Sequence, residues 1–343
     1  MPENIQGVKT IDVHAHMVAL GGPETEEKYR DIMPRLSRDA AGREIIAVSG
    51  KPGYLLPEYL YKPELRLPEM DKNRVDVQVL SMMAPLARYD LDPELGAGYS
   101  RIQNEAIAKV VKAHPDRFVG LATVPLQDPG EAARELERAM RELGMKGVEI
   151  ATDVNGKNLD WPELWPFYAQ AEKLGALVLI HPGVPPGAAQ MGDYALFNLI
   201  GYPFVTSLAA ASLIFGGVLE DFPRLKFCLA HGGGFVPYQR GRLEHGYRVK
   251  PECRRKISRP PSDYLNLLYF DTVTHYLPAL EYLIQTAGVD KVVLGSDYPF
   301  DVCDSDPVAT VSRIRSISLQ EKKKIWGKNA ARLLGISSAQ GGA

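Results

Sequence analysis

The chain has 343 residues, 45% hydrophobic and 24% charged, with a formal net charge of -2, which suits one sizeable α/β barrel or two smaller domains. Near-neutral charge with scattered basic residues argues against nucleic acid or an anionic membrane as a partner. Cys228, Cys253 and Cys303 are too few and too far apart for a disulfide framework or a CxxC site, and the start, MPENIQGVKT, lacks a secretory pattern, so a cytoplasmic location is expected.

In chain order, the first strand is expected over residues 10–14, followed by an inserted loop region over about 20–66 and a second strand over 75–82. A helix over 95–113 leads to a strand over 118–124. The segment PGEAARELERAMREL, residues 129–143, opens with Pro at a first-turn position and closes at Gly144, which reads as a second helix. Strands over 147–151 and 177–181 flank a helix over 161–174. Residues 194–219 carry no charge, but Pro203 and three glycines interrupt them and basic flanks are missing, so the expectation is a core or subunit-interface helix rather than a membrane span. Strands over 226–230, 267–271 and 292–295 complete eight. They are rich in Val, Ile, Leu and Phe without strict alternation, as in parallel strands covered on both faces. Alternating β and α elements imply right-handed βαβ units, and eight units predict a distorted (β/α)₈ barrel forming one domain over 1–343, with a disordered tail at 337–343. A doubly wound open sheet is the competing topology.

Four of these strands end in residues that can hold or serve a metal ion: His14 and His16 in IDVHAH, His181 in LVLIHP, His231 in FCLAHGGG and Asp297 in VVLGSDYPF. Barrel enzymes gather their catalytic groups at these C-terminal strand ends. Taken singly, each has an ordinary reading as a hydrogen-bonded histidine or a helix cap. Alternation lets His14 and His16 face the barrel axis together, with Asp12 on the same side either as an acceptor for a ligand histidine or as a buried capping carboxylate. HGGG leaves backbone that a substrate can approach closely. Asp271 is read as orienting a ligand or capping a turn, and His275 as lining the pocket.

With EMDKNRVDVQVLS, DRFVGLATVPLQDP, LEDFPRLKFCLAHGGG and GRLEHGY, these motifs resemble the amidohydrolase superfamily, and more closely its branch of metal-dependent, non-oxidative decarboxylases. The resemblance implies one divalent ion, Zn²⁺ with Mn²⁺ also accepted, held by His14, His16, His181 and Asp297. It implies His231 as acid/base beside a metal-bound water and Asp297 as ligand and proton carrier. The fourth strand, GVEIATD, shows no inward lysine for a second metal. The substrate expected is a small aromatic or unsaturated, muconate-like carboxylic acid. Arg242 corresponds to a family arginine that reaches the active site of a neighbouring subunit, which implies a homodimer or higher homo-oligomer.

The chain departs from this pattern at two substrate contacts. Ile45 or Ile46 stands near a family arginine in the first long loop, with Arg43 close by, and Asn198 stands in place of a tryptophan. Familiar metal chemistry on a different acid is the expectation. Hydrolysis or hydration by the same metal site, acting on a C–C bond, an amide or a lactone, is the alternative, and a metal-binding barrel without catalysis is a third reading.

Overall fold

The structure is a computed structural model that describes residues 7–23, 25–48 and 57–339, with the backbone alone at 51–54. Eight parallel strands form the barrel: β1 (Ile11–His16), β2 (Val77–Ser81), β3 (Phe118–Gly120), β4 (Gly147–Ala151), β5 (Leu177–His181), β6 (Lys226–Leu229), β7 (Tyr269–Asp271) and β8 (Val292–Val293). One run pairs β1, β2 and β3, and the other pairs β4 through β8 in order. Single bridges close the circle, Ala122 with Val148 and Ala15 with Tyr298. The expected (β/α)₈ barrel is present, and several strands are shorter than expected because pairing beyond β3 and β8 reduces to these bridges.

The connecting helices use the expected chemistry. In α1 (Pro93–Ala113) the Asp92 side chain accepts from the Glu94 and Leu95 amides, and Asp128 does the same for α2 (Pro129–Arg141) through Glu131; each has Pro at its first position. Helix α3 (Trp165–Leu174) ends at Gly175 with φ +64°.

Two side-chain populations divide the barrel wall. Val178, Ile180, Phe227 and Leu294 pack outward with the helices, whereas Ile11, Val13, Val77, Val79, Leu177, Leu179, Cys228 and Val293 meet each other and the C-terminal residues Ala330–Leu334. Strands on opposite sides meet only across the lumen, so this second cluster is its packed floor.

Three findings correct the sequence reading. In β1 the register shifts between Asp12 and Ala15, a β-bulge that inserts one residue and reverses the alternation. Asp12 therefore faces the outer side, where it accepts from Gln78 and Ser296, while His14 and His16 face the lumen. Secondly, the inserted region is more than loop: Arg35–Arg38, Glu44–Val48 and Lys51–Tyr54 form an antiparallel sheet. Thirdly, of the two readings of the uncharged stretch, the core helix does not hold: it is a π-helical turn, Phe197–Gly201, continuing into α4 (Tyr202–Phe215), and it is only partly covered, with Leu199, Ile200, Phe204 and Leu208 exposed. Of the tail, residues 340–343 lie outside the described residues.

Candidate metal centre and active site

Above the apolar floor, the strand ends converge. His14 Nε2 and His16 Nε2 lie 3.1 and 3.2 Å from Asp297 Oδ1, and His181 Nε2 lies 3.7 Å from the same oxygen. One donor atom from each of these four buried residues falls within 4.8 Å of the others. His231 Nε2 stands 3.2 Å from the other carboxylate oxygen, Asp297 Oδ2.

The backbone is bent to achieve this. Asp297, His231 and His275 have φ of +64°, +55° and +54°, a left-handed region costing on the order of 1–3 kcal/mol each. Gly295 has no side chain for a packing reason: a Cβ there would fall 2.8 Å from Asp271 Cβ and 3.1 Å from His14 Cβ. In HGGG, a Cβ on Gly234 would fall 2.2 Å from the Pro203 carbonyl oxygen. Close packing and positive φ therefore account for this glycine run.

Asp271 resolves an open point in the sequence reading. Its Oδ2 lies 2.6 Å from His14 Nδ1, and its two oxygens also accept from the backbone amides of His231 and Gly232. The carboxylate thus orients one donor histidine and tethers the loop carrying His231. Asp12 takes the capping role instead, accepting from the His14 amide.

The donor set can be tested for its fit to a cation. A neutral His14, its Nδ1–H donated to Asp271, would turn a lone pair on Nε2 towards a carboxylate oxygen that also carries lone pairs, a clash that only a second proton on His14 or a cation relieves. His16 and His181 converge on that oxygen as well, and neither ring nitrogen of His181 has a hydrogen-bond partner. One oxygen cannot satisfy three imidazoles through protons, whereas a divalent ion among them satisfies all four groups.

Burial lowers His16 to about 4 and holds His181 well below the usual imidazole range, so both are neutral and ready to bind metal. Burial opposes charge on His14 too, but the Asp297 and Asp271 carboxylates outweigh it and raise His14 well above its ordinary value. Burial likewise opposes the charge on Asp297, which the surrounding histidines, His14 foremost, hold well below the carboxylate range. Asp271 and Asp297 are therefore anions facing the lumen, and the extra proton they hold on His14 is the one a bound divalent ion would displace.

Glu149 is a site residue that the sequence reading missed. It is the one ionisable side chain in the buried strand β4, with Oε2 3.5 Å from His16 Nδ1 and bonded to the Ser81 hydroxyl. Burial raises its pKa to about 8. Its signal was visible in GVEIA, as a lone carboxyl in an apolar strand.

A cavity of about 580 Å³ opens beside His231 and Asp297, walled by Leu199, Tyr202, Phe235, Val273 and Tyr276. Asn198 and His275 line it as expected. Tyr202 was not anticipated; its ring lies parallel to that of His231, with centroids 6.4 Å apart. Arg43 is not brought to the cavity. It is exposed in the turn just before the hairpin strand Glu44–Val48, with Nε 2.7 Å from Asp39, because the hairpin carries it outward. Arg242 is also exposed, on α5 (Val236–Val249), and does not line the cavity.

Residues 11–336 match the amidohydrolase family. The chain is 36% identical over 328 residues to a 2-amino-3-carboxymuconate-6-semialdehyde decarboxylase of Dictyostelium discoideum, covering 95% of this chain and 91% of that protein. A 5-carboxyvanillate decarboxylase from Sphingomonas paucimobilis superposes with a TM-score of 0.81 at 30% identity, over 96% of this chain and all of that one. A dihydroxybenzoic acid decarboxylase from a Polaromonas species, with bound manganese and the inhibitor 2-nitroresorcinol, superposes with a TM-score of 0.77 at 26% identity, over 96% of this chain and 97% of that one. These relatives are decarboxylases of the amidohydrolase superfamily, and the chain belongs to the amidohydrolase family.

Proposed function

We propose that the protein is a metal-dependent, non-oxidative decarboxylase of a small aromatic or unsaturated, muconate-like carboxylic acid. The observation that carries this reading is the convergence of His14, His16, His181 and Asp297 next to an apolar cavity that Asp297 and His231 line, with His231 set against the other oxygen of Asp297. Those four residues would hold one divalent ion, proposed as Zn²⁺ with Mn²⁺ as the alternative, and that ion supplies Lewis acidity towards the oxygens of a bound acid.

The protein's own groups do the rest. The apolar walls exclude water around a planar ring, and about 580 Å³ lies within the usual range for a small-molecule site. His231 delivers a proton to the carbon that bears the carboxylate, with Asp297 Oδ2 steadying the ring. The C–C bond then breaks, its electron pair restores the π system, and CO₂ leaves. Asn198, His275 and Tyr202 are the proposed substrate contacts; Arg43 is no longer among them.

The proposal extends to a homodimer in which Arg242 reaches the neighbouring site. Supporting this, Arg242 has no hydrogen bond or ion pair among the described residues, and the α4 face bearing Phe204 and Leu208 is exposed. Sedimentation of the purified chain as a monomer would remove Arg242 from the site. One domain and a cytoplasmic location complete the reading.

The test is CO₂ release from a panel of aromatic and muconate-like acids, before and after metal stripping and with elemental analysis of the metal. Hydrolysis or hydration products without CO₂ would favour the competing chemistry. Efficient turnover of aminocarboxymuconate semialdehyde would overturn the inference that the substrate differs from that of the 36%-identical relative.

A further inference from the structure

Arg66 is wholly buried, and no carboxylate among the described residues forms an ion pair with it. An unpaired buried guanidinium is costly to desolvate, so its contacts require an explanation. Its Nη2 donates to the His16 carbonyl at 2.8 Å and to the Tyr59 carbonyl, and its Nη1 donates to Gln78 at 3.3 Å. The guanidinium carbon lies 5.0 Å from the centroid of the Tyr298 ring. Three residues further on, Glu69 accepts from the Tyr298 hydroxyl at 2.6 Å.

These contacts address two of the candidate ligands through their immediate neighbours. His16 ends β1, and its amide donates to the Tyr298 carbonyl; Tyr298 directly follows Asp297, whose φ is +64°. The segment from Arg66 to Glu69 therefore grips β1 by the carbonyl of one donor and the β8 loop by the ring beside another. Between these two grips lies the 3.2 Å approach of His16 Nε2 to Asp297 Oδ1. The planar fork of arginine suits two carbonyls and a ring face together, a combination that the point charge of lysine cannot reproduce.

We propose that Arg66 is a positioning residue of the metal centre, tying the end of the inserted region to His16 and Asp297 and setting their separation. The inference rests on the metal-site reading above. The experiment is titration of the metal-stripped, full-length protein with Mn²⁺, followed by the electron paramagnetic resonance of the free ion, for wild type, Arg66→Lys and Arg66→Met. Arg88→Lys is the control, since Arg88 is also buried but bonds to Asp90 and to the Ile32 carbonyl. Circular dichroism melts verify the folded state. The expected result is an Mn²⁺ dissociation constant raised roughly 10- to 100-fold in both Arg66 variants, as for other residues that orient metal ligands, with the control lowered in melting temperature alone. Should Arg66→Met not fold, Arg66→Lys decides. Wild-type affinity in folded Arg66→Lys would reduce Arg66 to a fold staple and overturn the inference, whereas absence of Mn²⁺ binding in wild type would overturn the metal-site reading itself and this inference with it.

Discussion

The two ends of the barrel lumen are built from the same strands on opposite principles. At the floor, Ile11, Val13, Leu177, Leu179 and Val293 fill space with no polar atom to satisfy. At the mouth, residues only a few positions further along put His14, His16, His181, Glu149, Asp271 and Asp297 into equal burial. The floor is stabilised by volume and apolar area, and tolerates swaps that conserve both. The mouth is costly to bury unless each charge and lone pair meets a complement, so its stability depends on protons and on a cation.

That contrast can be broken most severely at its centre. Asp297→Ala removes the oxygen on which three histidines converge, and loss of both metal content and CO₂ release is expected, measured by elemental analysis and a carbon dioxide assay. His231→Asn leaves the four donors in place. Metal content should be unchanged while the rate falls on the order of 10²–10⁴-fold, and an undiminished rate would take His231 out of the chemistry. Asp271→Asn unsettles the His14 ring, so metal affinity should weaken by roughly 10- to 100-fold. At the floor the signature reverses: Leu179→Ala should cost about 2–5 kcal/mol of stability by chemical denaturation, while the folded fraction keeps its metal.

The smallest expected effect sharpens the comparison through pH. Burial raises Glu149 to about 8 from an ordinary 4.5, so the folded chain retains a proton there that the unfolded chain has released. Stability from this group is complete below the unfolded value and declines as pH rises towards about 8. Metal-free Glu149→Gln should lose less stability between about pH 5 and 8 than wild type, and identical slopes would mean that Glu149 does not carry this proton.

Several features of the site were legible in the chain because they reside in local pattern. IDVHAH, LVLIHP and VVLGSDYPF each combine an apolar strand with a donor at its end, and a parallel barrel requires such ends to meet. Glu149 could have been found in the same way, as a carboxyl in an apolar strand. The bulge after Asp12 could not, because a strand's register is set by its partner, here β2, and one extra residue reverses which side chains face inward. Arg43 misled for a related reason: proximity in sequence to an expected contact gives no direction, and the hairpin turns it outward to Asp39.

By itself, then, the sequence determined the kind of barrel and singled out the candidate donor residues, since periodicity and residue chemistry are properties of short segments. Only the tertiary structure decided which carboxylate serves which histidine. Asp271 and His14 lie 257 positions apart, and His16 and Asp297 lie 281 apart. Such pairings arise from the closure of the barrel, where each hydrogen bond depends on orientations that no single segment encodes.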